Sequence, residues 1–156
     1  FADWANPNNL QDCIFMAVTT LAVYGVRRLG ELLVKTTSDF DSVRKCTRSC
    51  LQVAGDGSEL TLVVKTTKTR PNGPPLVIPI AAAPQSSFCA VFWCSRMLYL
   101  GDRAGLWPVP WAPLFQRVGK RVDHQPMLKQ FYVDQMRRLI SQLDSSTRDH
   151  SGHEAR

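Results

Sequence analysis

The chain has 156 residues, of which 44% are apolar and 21% are charged, and its formal net charge is +6. This length and composition are typical of one folded domain with its own core, and they exclude a disordered chain. The positive surplus favours a polyanionic partner, although many proteins of similar charge bind no nucleic acid.

The first predicted element is a helix from about Leu10 to Tyr24, which Asn8 or Asn9 can cap. Apolar residues surround most of this helix, which predicts that it is buried at the centre of the fold. The apolar run is too short to cross a membrane, contains Thr19 and Thr20, and has no basic region before it. We therefore expect neither a membrane span nor a secretion signal.

A glycine break at Gly25 is followed by a second short helix over 28–34. The polar segment 36–48 predicts a loop with at most about one helical turn. Short β-type runs then follow over 49–53, 59–65 and 76–80.

The connections between these runs predict how the strands pair. A Gly-Asp-Gly segment at 55–57 is typical of a hairpin, and the segment 71–75 is rich in proline and glycine. A three-stranded antiparallel sheet is the simplest arrangement.

The next predicted helix covers 88–100, with Ser86 or Ser87 as its cap and Gly101 as its end. The residues predicted for its apolar face are Val91, Phe92, Met97 and Leu98.

Residues 101–125 predict a loop because they are rich in glycine and proline. A last helix is predicted from Pro126 to about Leu143, followed by a polar loop over 144–152. Its apolar stripe, at spacings of three and four, comprises Leu128, Phe131, Tyr132, Met136, Leu139, Ile140 and Leu143.

The chain contains five cysteines, which are Cys13, Cys46, Cys50, Cys89 and Cys94. An odd number without a secretory leader is typical of reduced, intracellular thiols. Two closely spaced pairs could supply zinc ligands, but they fall in predicted helix and strand rather than in tight knuckles. We therefore predict core cysteines and no metal site.

Four short segments carry charged or distinctive residues in a fixed order along the chain. They are 24–33 (YGVRRLGELL), 65–70 (KTTKTR), 78–80 (IPI) and 151–156 (SGHEAR). This order resembles the catalytic domain of tyrosine recombinases of the phage-integrase family, including versions found in eukaryotic mobile elements. The resemblance covers residues 10–156 and implies a mainly α fold with a small three-stranded antiparallel β-sheet.

The resemblance implies a role for each matched residue. Arg28 and Arg156 would hold the scissile phosphate, since a guanidinium can donate to two phosphate oxygens at once. Lys68 would protonate the leaving 5′-oxygen, and His153 would accept or share the proton of the attacking hydroxyl. Glu31 would support the site by pairing with nearby backbone or with an arginine.

Alternatives remain for several of these assignments. Arg27 neighbours Arg28 but lacks its three-residue spacing to Glu31, and Lys65 is the alternative to Lys68. The basic residues that could contact the DNA backbone are Arg27, Lys65, Arg70, Lys120 and Arg121. Each of these could equally be an ordinary solvated charge.

The sequence departs from the family pattern at the nucleophile. The family uses a tyrosine some tens of residues after the last box, and Tyr24, Tyr99 and Tyr132 all precede that box. We therefore expect no nucleophile in this chain. Glu154 and Ala155 also differ from the residues usual inside the box.

Together these observations predict a single partial catalytic domain over residues 1–156, which ends at the His-x-x-Arg box. The parent protein is expected to act in DNA recombination or integration, without metal or other cofactor, through a 3′-phosphotyrosine intermediate. A non-catalytic DNA-binding relic of a mobile element is the alternative. The expected partner is double-stranded DNA, with self-assembly on DNA in the full-length protein. The expected location is intracellular, in a nucleus or in a bacterial cytoplasm or nucleoid.

Overall fold

The computed structural model describes residues 2–25 and 28–151, and these residues form a mixed α/β fold. In chain order the helices are α1 Leu10–Tyr24, α2 Leu29–Leu32, α3 Ala90–Ala104 and α4 Lys129–Ser151. The strands are β1 Leu51–Val53, β2 Glu59–Val64, β3 Leu76–Ala81, β4 Gln116–Val118 and β5 Val122–Pro126. Short 3-10 turns cover Ala2–Trp4, Thr37–Asp39 and Arg48–Cys50.

Helix α1 lies at the centre of the core, as its apolar pattern predicts. The side chain of Asn9 accepts a hydrogen bond from the backbone N–H of Asp12 at 3.0 Å, which satisfies a free donor of the first turn. Every residue from 13 to 21 is buried. The N–H of Gly25 closes the helix by donating to the carbonyl of Leu21 at 2.9 Å. The predicted helix and its Asn9 cap are confirmed.

Strands β1, β2 and β3 form the predicted antiparallel sheet, in that order. Leu62 pairs with Leu51 on one side, and Leu60 pairs with Ile80 on the other. Leu60, Leu62 and Val64 are buried while their neighbours in β2 are more exposed, which is the alternation expected of a sheet with one covered face. Strand β1 begins two residues later than predicted because residues 48–50 form a 3-10 turn.

Helix α3 packs against α1, but its predicted end is wrong. Gly101 lies inside the helix and is buried, and the ring of Trp107 occupies the space beside its Cα. The helix ends at Gly105, whose φ of 74° is the left-handed conformation that glycine adopts without strain.

The start of α3 also differs from the prediction. Its N-cap is Cys89, which makes no side-chain capping bond, whereas Ser86 accepts from the N–H of Phe88 at 3.1 Å in the preceding turn. Phe92 is 46% exposed and does not belong to the core.

The predicted loop over 101–125 contains the β4–β5 hairpin. Gln116 anchors it, because the buried side-chain amide donates to the carbonyls of Leu106 at 2.7 Å and Pro113 at 3.0 Å. The polar composition of both strands hides this hairpin from a search for apolar alternation.

Helix α4 begins at Lys129 and continues through the segment predicted as a polar loop. Tyr132 secures its first turns by stacking on Phe15, with ring centroids 4.9 Å apart. Five residues of the predicted stripe, from Leu128 to Leu139, are buried or half-buried, whereas Ile140 and Leu143 are exposed.

Two further predictions concern membranes and metals. Within residues 2–25 and 28–151, no helix combines the length and apolar character needed to cross a bilayer. All five cysteines are buried and unpaired. Over the same ranges, no group of three or more His, Cys, Asp or Glu side chains is arranged to hold a metal ion.

Candidate functional site

Helix α2, the loop over 35–45 and the turn after β2 enclose a cleft of about 490 Å³, here called the α2 cleft. Arg28, Glu31 and Lys68 all line it, although Arg28 and Lys68 are 40 positions apart. The other lining residues are Gly30, Lys35, Asp39, Asp41, Arg44, Lys45, Thr66, Thr67 and Pro71.

A second cleft of about 400 Å³ adjoins the first and shares Arg28, Glu31 and Thr67 with it. Its other lining residues are Gly25, Thr69, Arg70, Pro74, Pro75 and Leu76. Arg70, predicted as a DNA contact, therefore lies beside the α2 cleft rather than in it.

The start of α2 places Arg28 at the edge of both clefts. Arg28 is the N-cap residue, in extended conformation, and its carbonyl accepts from the N–H of Glu31 at 3.0 Å. The helix is held by its buried end, where Leu32, Leu33 and Val34 enter the core. The Arg28 side chain is exposed and free to meet a ligand.

A tight turn after β2 presents Lys68. The N–H of Arg70 donates both to the carbonyl of Thr67, at 3.2 Å, and to its hydroxyl, at 3.1 Å. Lys68 lies between these two residues and is exposed. The turn therefore places Lys68 among the residues that line the cleft.

Lys65, the alternative hairpin lysine, has a different environment. Its ammonium group donates to the carbonyl of Ser42 at 2.6 Å and to the hydroxyl of Thr47 at 3.2 Å. It is half-buried and does not line either cleft. This geometry favours Lys68 over Lys65 for contact with a ligand in the cleft. Lys65 instead tethers the loop over 35–45 to the end of β2.

Two thiols beneath the loop extend this tether. The adjacent Cys46 thiol, together with hydrogen bonds from the backbone N–H and hydroxyl of Thr47, lowers the pKa of Cys50 to about 5, and proximity to Cys50 together with burial raises the pKa of Cys46. The nearby Lys65 ammonium also favours the Cys50 thiolate. The Cys46 thiol donates to the carbonyl of Glu31 at 3.5 Å, so this cluster also contacts α2.

The α2 cleft is lined by more positive than negative charge. Five basic and three acidic side chains surround it, which leaves a surplus of two positive charges. Two of the carboxylates already accept local backbone donors: Asp39 bonds the N–H of Thr36 at 3.0 Å, and Asp41 bonds the N–H of Val43 at 2.8 Å. The cleft is therefore suited to an anion that can keep away from these carboxylates.

Glu31 lines both clefts and is half-buried. Among residues 2–25 and 28–151, the one ion pair joins Arg137 and Asp134 at 3.8 Å, so Glu31 and Arg28 are not paired. The predicted pairing of Glu31 with an arginine is not formed with Arg28.

Two other predicted DNA contacts lie in the β4–β5 hairpin rather than at this cleft. Lys120 and Arg121 lie in the turn between β4 and β5 and line neither cleft. Arg27, His153 and Arg156 lie outside the described residues.

The three tyrosines also lie away from both clefts. Tyr132 is buried, and burial raises its pKa. Its hydroxyl donates to Thr19 at 2.8 Å, because the Thr19 hydroxyl itself donates to the carbonyl of Phe15. Tyr24 lies near Phe88, and Tyr99 accepts a hydrogen bond from Arg103 at 2.7 Å.

Three lining cations, Lys35, Arg44 and Lys45, were not among the residues singled out from the sequence. All three flank or belong to the polar segment 36–48, whose length is the one signal that could have indicated them. In the structure this segment forms a wall of the α2 cleft.

Comparisons of this chain with protein-family models, with curated proteins and with solved structures give no match. The resemblance to tyrosine recombinases therefore rests on the four sequence segments. Any function assigned to the cleft must come from its residues and their geometry.

Proposed function

We propose that this chain carries the phosphate-binding part of a tyrosine-recombinase site, which cuts and rejoins double-stranded DNA through a 3′-phosphotyrosine intermediate. One observation supports this most strongly. Arg28 and Lys68, which two separate sequence segments single out, line one cleft with a positive surplus. A DNA phosphodiester is an anion of the kind that such a cleft attracts.

The proposed chemistry assigns one step to each cation. Arg28 donates to the non-bridging phosphate oxygens and stabilises the negative charge that develops in the transition state. A tyrosine oxygen forms a bond to phosphorus while the bond to the 5′-oxygen breaks. Lys68 gives a proton to that 5′-oxygen, and His153 takes the proton of the tyrosine. Attack by a 5′-hydroxyl reverses these steps and rejoins the strand.

The resemblance gives Arg156 the role of a second phosphate ligand beside Arg28. Glu31 would act from within the cleft by restricting where an anion can sit, since a carboxylate repels a phosphate that approaches too closely. The tyrosine would have to come from elsewhere, because Tyr24, Tyr99 and Tyr132 line neither cleft.

A non-catalytic DNA-binding module is the second candidate. It is favoured because the three tyrosines line neither cleft and because the carboxylates of Asp39 and Asp41 lie on the cleft wall. Such a module would use Arg28 and Lys68 to bind backbone phosphate without cutting.

The experiment compares the affinity of the chain and its variants for duplex DNA at fixed salt. We expect Arg28→Ala and Lys68→Ala each to weaken binding about 5- to 30-fold, as loss of one or two kcal/mol requires. Arg137→Ala is the matched control, because Arg137 is a surface arginine on α4 whose side chain is 73% exposed.

The binding measurement tests the phosphate site that both candidates share. A loss confined to the Arg28 and Lys68 variants supports the phosphate site, and equal affinity in all folded variants contradicts it. A second substrate distinguishes the enzyme from the binding module. It is a nicked duplex in which a 5′-hydroxyl faces a 3′-phosphate that is esterified to a phenol leaving group, in place of the phosphotyrosine. Rejoining that depends on Lys68 supports catalysis, and binding without rejoining supports the module.

A further inference from the structure

The loop wall of the α2 cleft carries two cations that the proposed reaction does not use. Lys35 and Arg44 are both exposed and both line the cleft. Among residues 2–25 and 28–151, neither side chain is held by a hydrogen bond or an ion pair. Both charges are therefore open to a ligand in the cleft.

The position of Arg44 is fixed by its backbone rather than by its side chain. Its N–H donates to the carbonyl of Asp41 at 3.1 Å, and its carbonyl accepts from the hydroxyl of Thr66 at 2.9 Å. Thr66 lies two residues before Lys68, at the start of the same turn. The loop wall and the Lys68 turn are consequently joined, and Arg44 faces the same space as Lys68.

The residue after Arg44 joins the wall to α2. The ammonium group of Lys45 donates to the carbonyl of Gly30 at 3.4 Å, and the ammonium group of Lys65 donates to the carbonyl of Ser42 at 2.6 Å. The wall is therefore attached at three points to the elements that present Arg28 and Lys68.

We propose that Lys35 and Arg44 bind a second backbone phosphate of the DNA strand, adjacent to the phosphate that Arg28 and Lys68 hold, and that Thr66 positions Arg44 for this contact. This inference rests on the proposed function of the cleft. Arginine suits the role because its planar fork donates to two phosphate oxygens, while lysine acts as a point charge. The carboxylates of Asp39 and Asp41 flank the contact and disfavour other placements of the strand.

Arg44→Ala and Lys35→Ala should weaken DNA binding if these side chains contact a phosphate, and should leave it unchanged if they are ordinary solvated charges. Because both side chains are exposed, we expect neither substitution to shift thermal unfolding measurably. We expect each to weaken duplex binding about 5-fold or more, with Arg137→Ala again unchanged. Duplex affinity is measured at one salt concentration, with thermal unfolding as the check on folding.

Thr66→Val tests the positioning role, since valine keeps the shape of threonine but cannot donate to the Arg44 carbonyl. We expect it to weaken binding in the unaltered chain and to have no further effect in the Arg44→Ala background. Additive losses in that double-mutant cycle would overturn the role of Thr66.

Failure of this inference is distinguishable from failure of the proposed function. Loss of affinity with Arg28→Ala but not with Arg44→Ala or Lys35→Ala would overturn the second phosphate contact alone. Loss with the wall variants but not with Arg28→Ala would support the wall as a DNA contact and contradict the recombinase-type site. No loss in any of the three would overturn both.

Discussion

Lys65 and Lys68 differ in sequence position by only three residues, yet the structure predicts opposite consequences for their loss. Substitution by methionine removes the charge and keeps the length of the side chain. Lys65→Met deletes two bonds from an ammonium group, at 2.6 and 3.2 Å, whereas no such bond to the described residues holds Lys68. Lys65→Met should therefore affect mainly stability, and Lys68→Met mainly DNA binding.

The size of the stability effect follows from the surroundings of Lys65. A hydrogen bond to a charged group contributes about 1.5–3 kcal/mol. Lys65 and Ser42 are only half-buried, and the buried hydroxyl of Thr47 keeps Ser49 as a partner at 2.9 Å, so we expect a total loss of about 1–3 kcal/mol. Lys68→Met should change stability by no more than about 0.5 kcal/mol.

Urea unfolding followed by circular dichroism measures both variants. With a slope of about 1–3 kcal/mol per molar urea, Lys65→Met should lower the midpoint by on the order of 1 M. Duplex affinity should fall less for Lys65→Met than for Lys68→Met, because Thr66 still holds the loop at Arg44. A stable Lys65→Met variant that loses DNA binding as strongly as Lys68→Met would refute this assignment.

Two predictions test the packing that supports the site. In Gly101→Ala the new Cβ would clash with the ring of Trp107. The overpacking cost of about 1–3 kcal/mol should exceed the helix gain of about 1 kcal/mol, so urea unfolding should show a net loss of stability. A more stable variant would contradict that packing. Tyr132→Phe removes the bond to Thr19 and should cost about 1 kcal/mol at neutral pH. Because burial raises the folded-state pKa of Tyr132, the unaltered chain should lose stability as pH rises from the unfolded value of about 10 toward the folded value. The phenylalanine variant should lose less stability than the unaltered chain over this range in pH-dependent thermal unfolding, because Cys13, whose pKa is also raised, still contributes.

The parts of the fold that follow local rules could be predicted from the sequence. An Asn cap before an apolar run gives α1, and apolar alternation in β2 with a Gly-Asp-Gly turn gives the sheet. Both signals depend on residues that are neighbours along the chain.

The errors occur where tertiary packing or side-chain bonds decide the outcome. Gly101 does not end α3, because its missing side chain makes room for the ring of Trp107. The hairpin at Gln116 depends on buried side-chain amide bonds to the carbonyls of Leu106 and Pro113, which apolar alternation cannot reveal. In α4, the hydroxyls of Ser145 and Thr147 bond back to carbonyls of the preceding turn, and the polar segment stays helical.

In the candidate site, too, some residues could be predicted from the sequence and others depend on tertiary contacts. Arg28 and Lys68 could be selected from their sequence segments, and the structure brings them to one cleft. The surrounding wall could not be predicted, because Lys35 and Arg44 belong to no recognisable pattern and reach the cleft only through tethers such as the bond from Thr66. The distinction between Lys65 and Lys68 likewise depends on hydrogen bonds that only the fold defines.

The salt dependence of duplex binding tests most directly the claim that Arg28 and Lys68 hold a DNA phosphate. For duplex DNA, each neutralised phosphate contributes about −0.9 to the slope of log affinity against log salt concentration. We predict that the double variant Arg28→Ala/Lys68→Ala, which loses its contact with one phosphate, has a slope shallower by about 0.9, while Arg137→Ala retains the original slope. A folded double variant with an unchanged slope and affinity would contradict the claim.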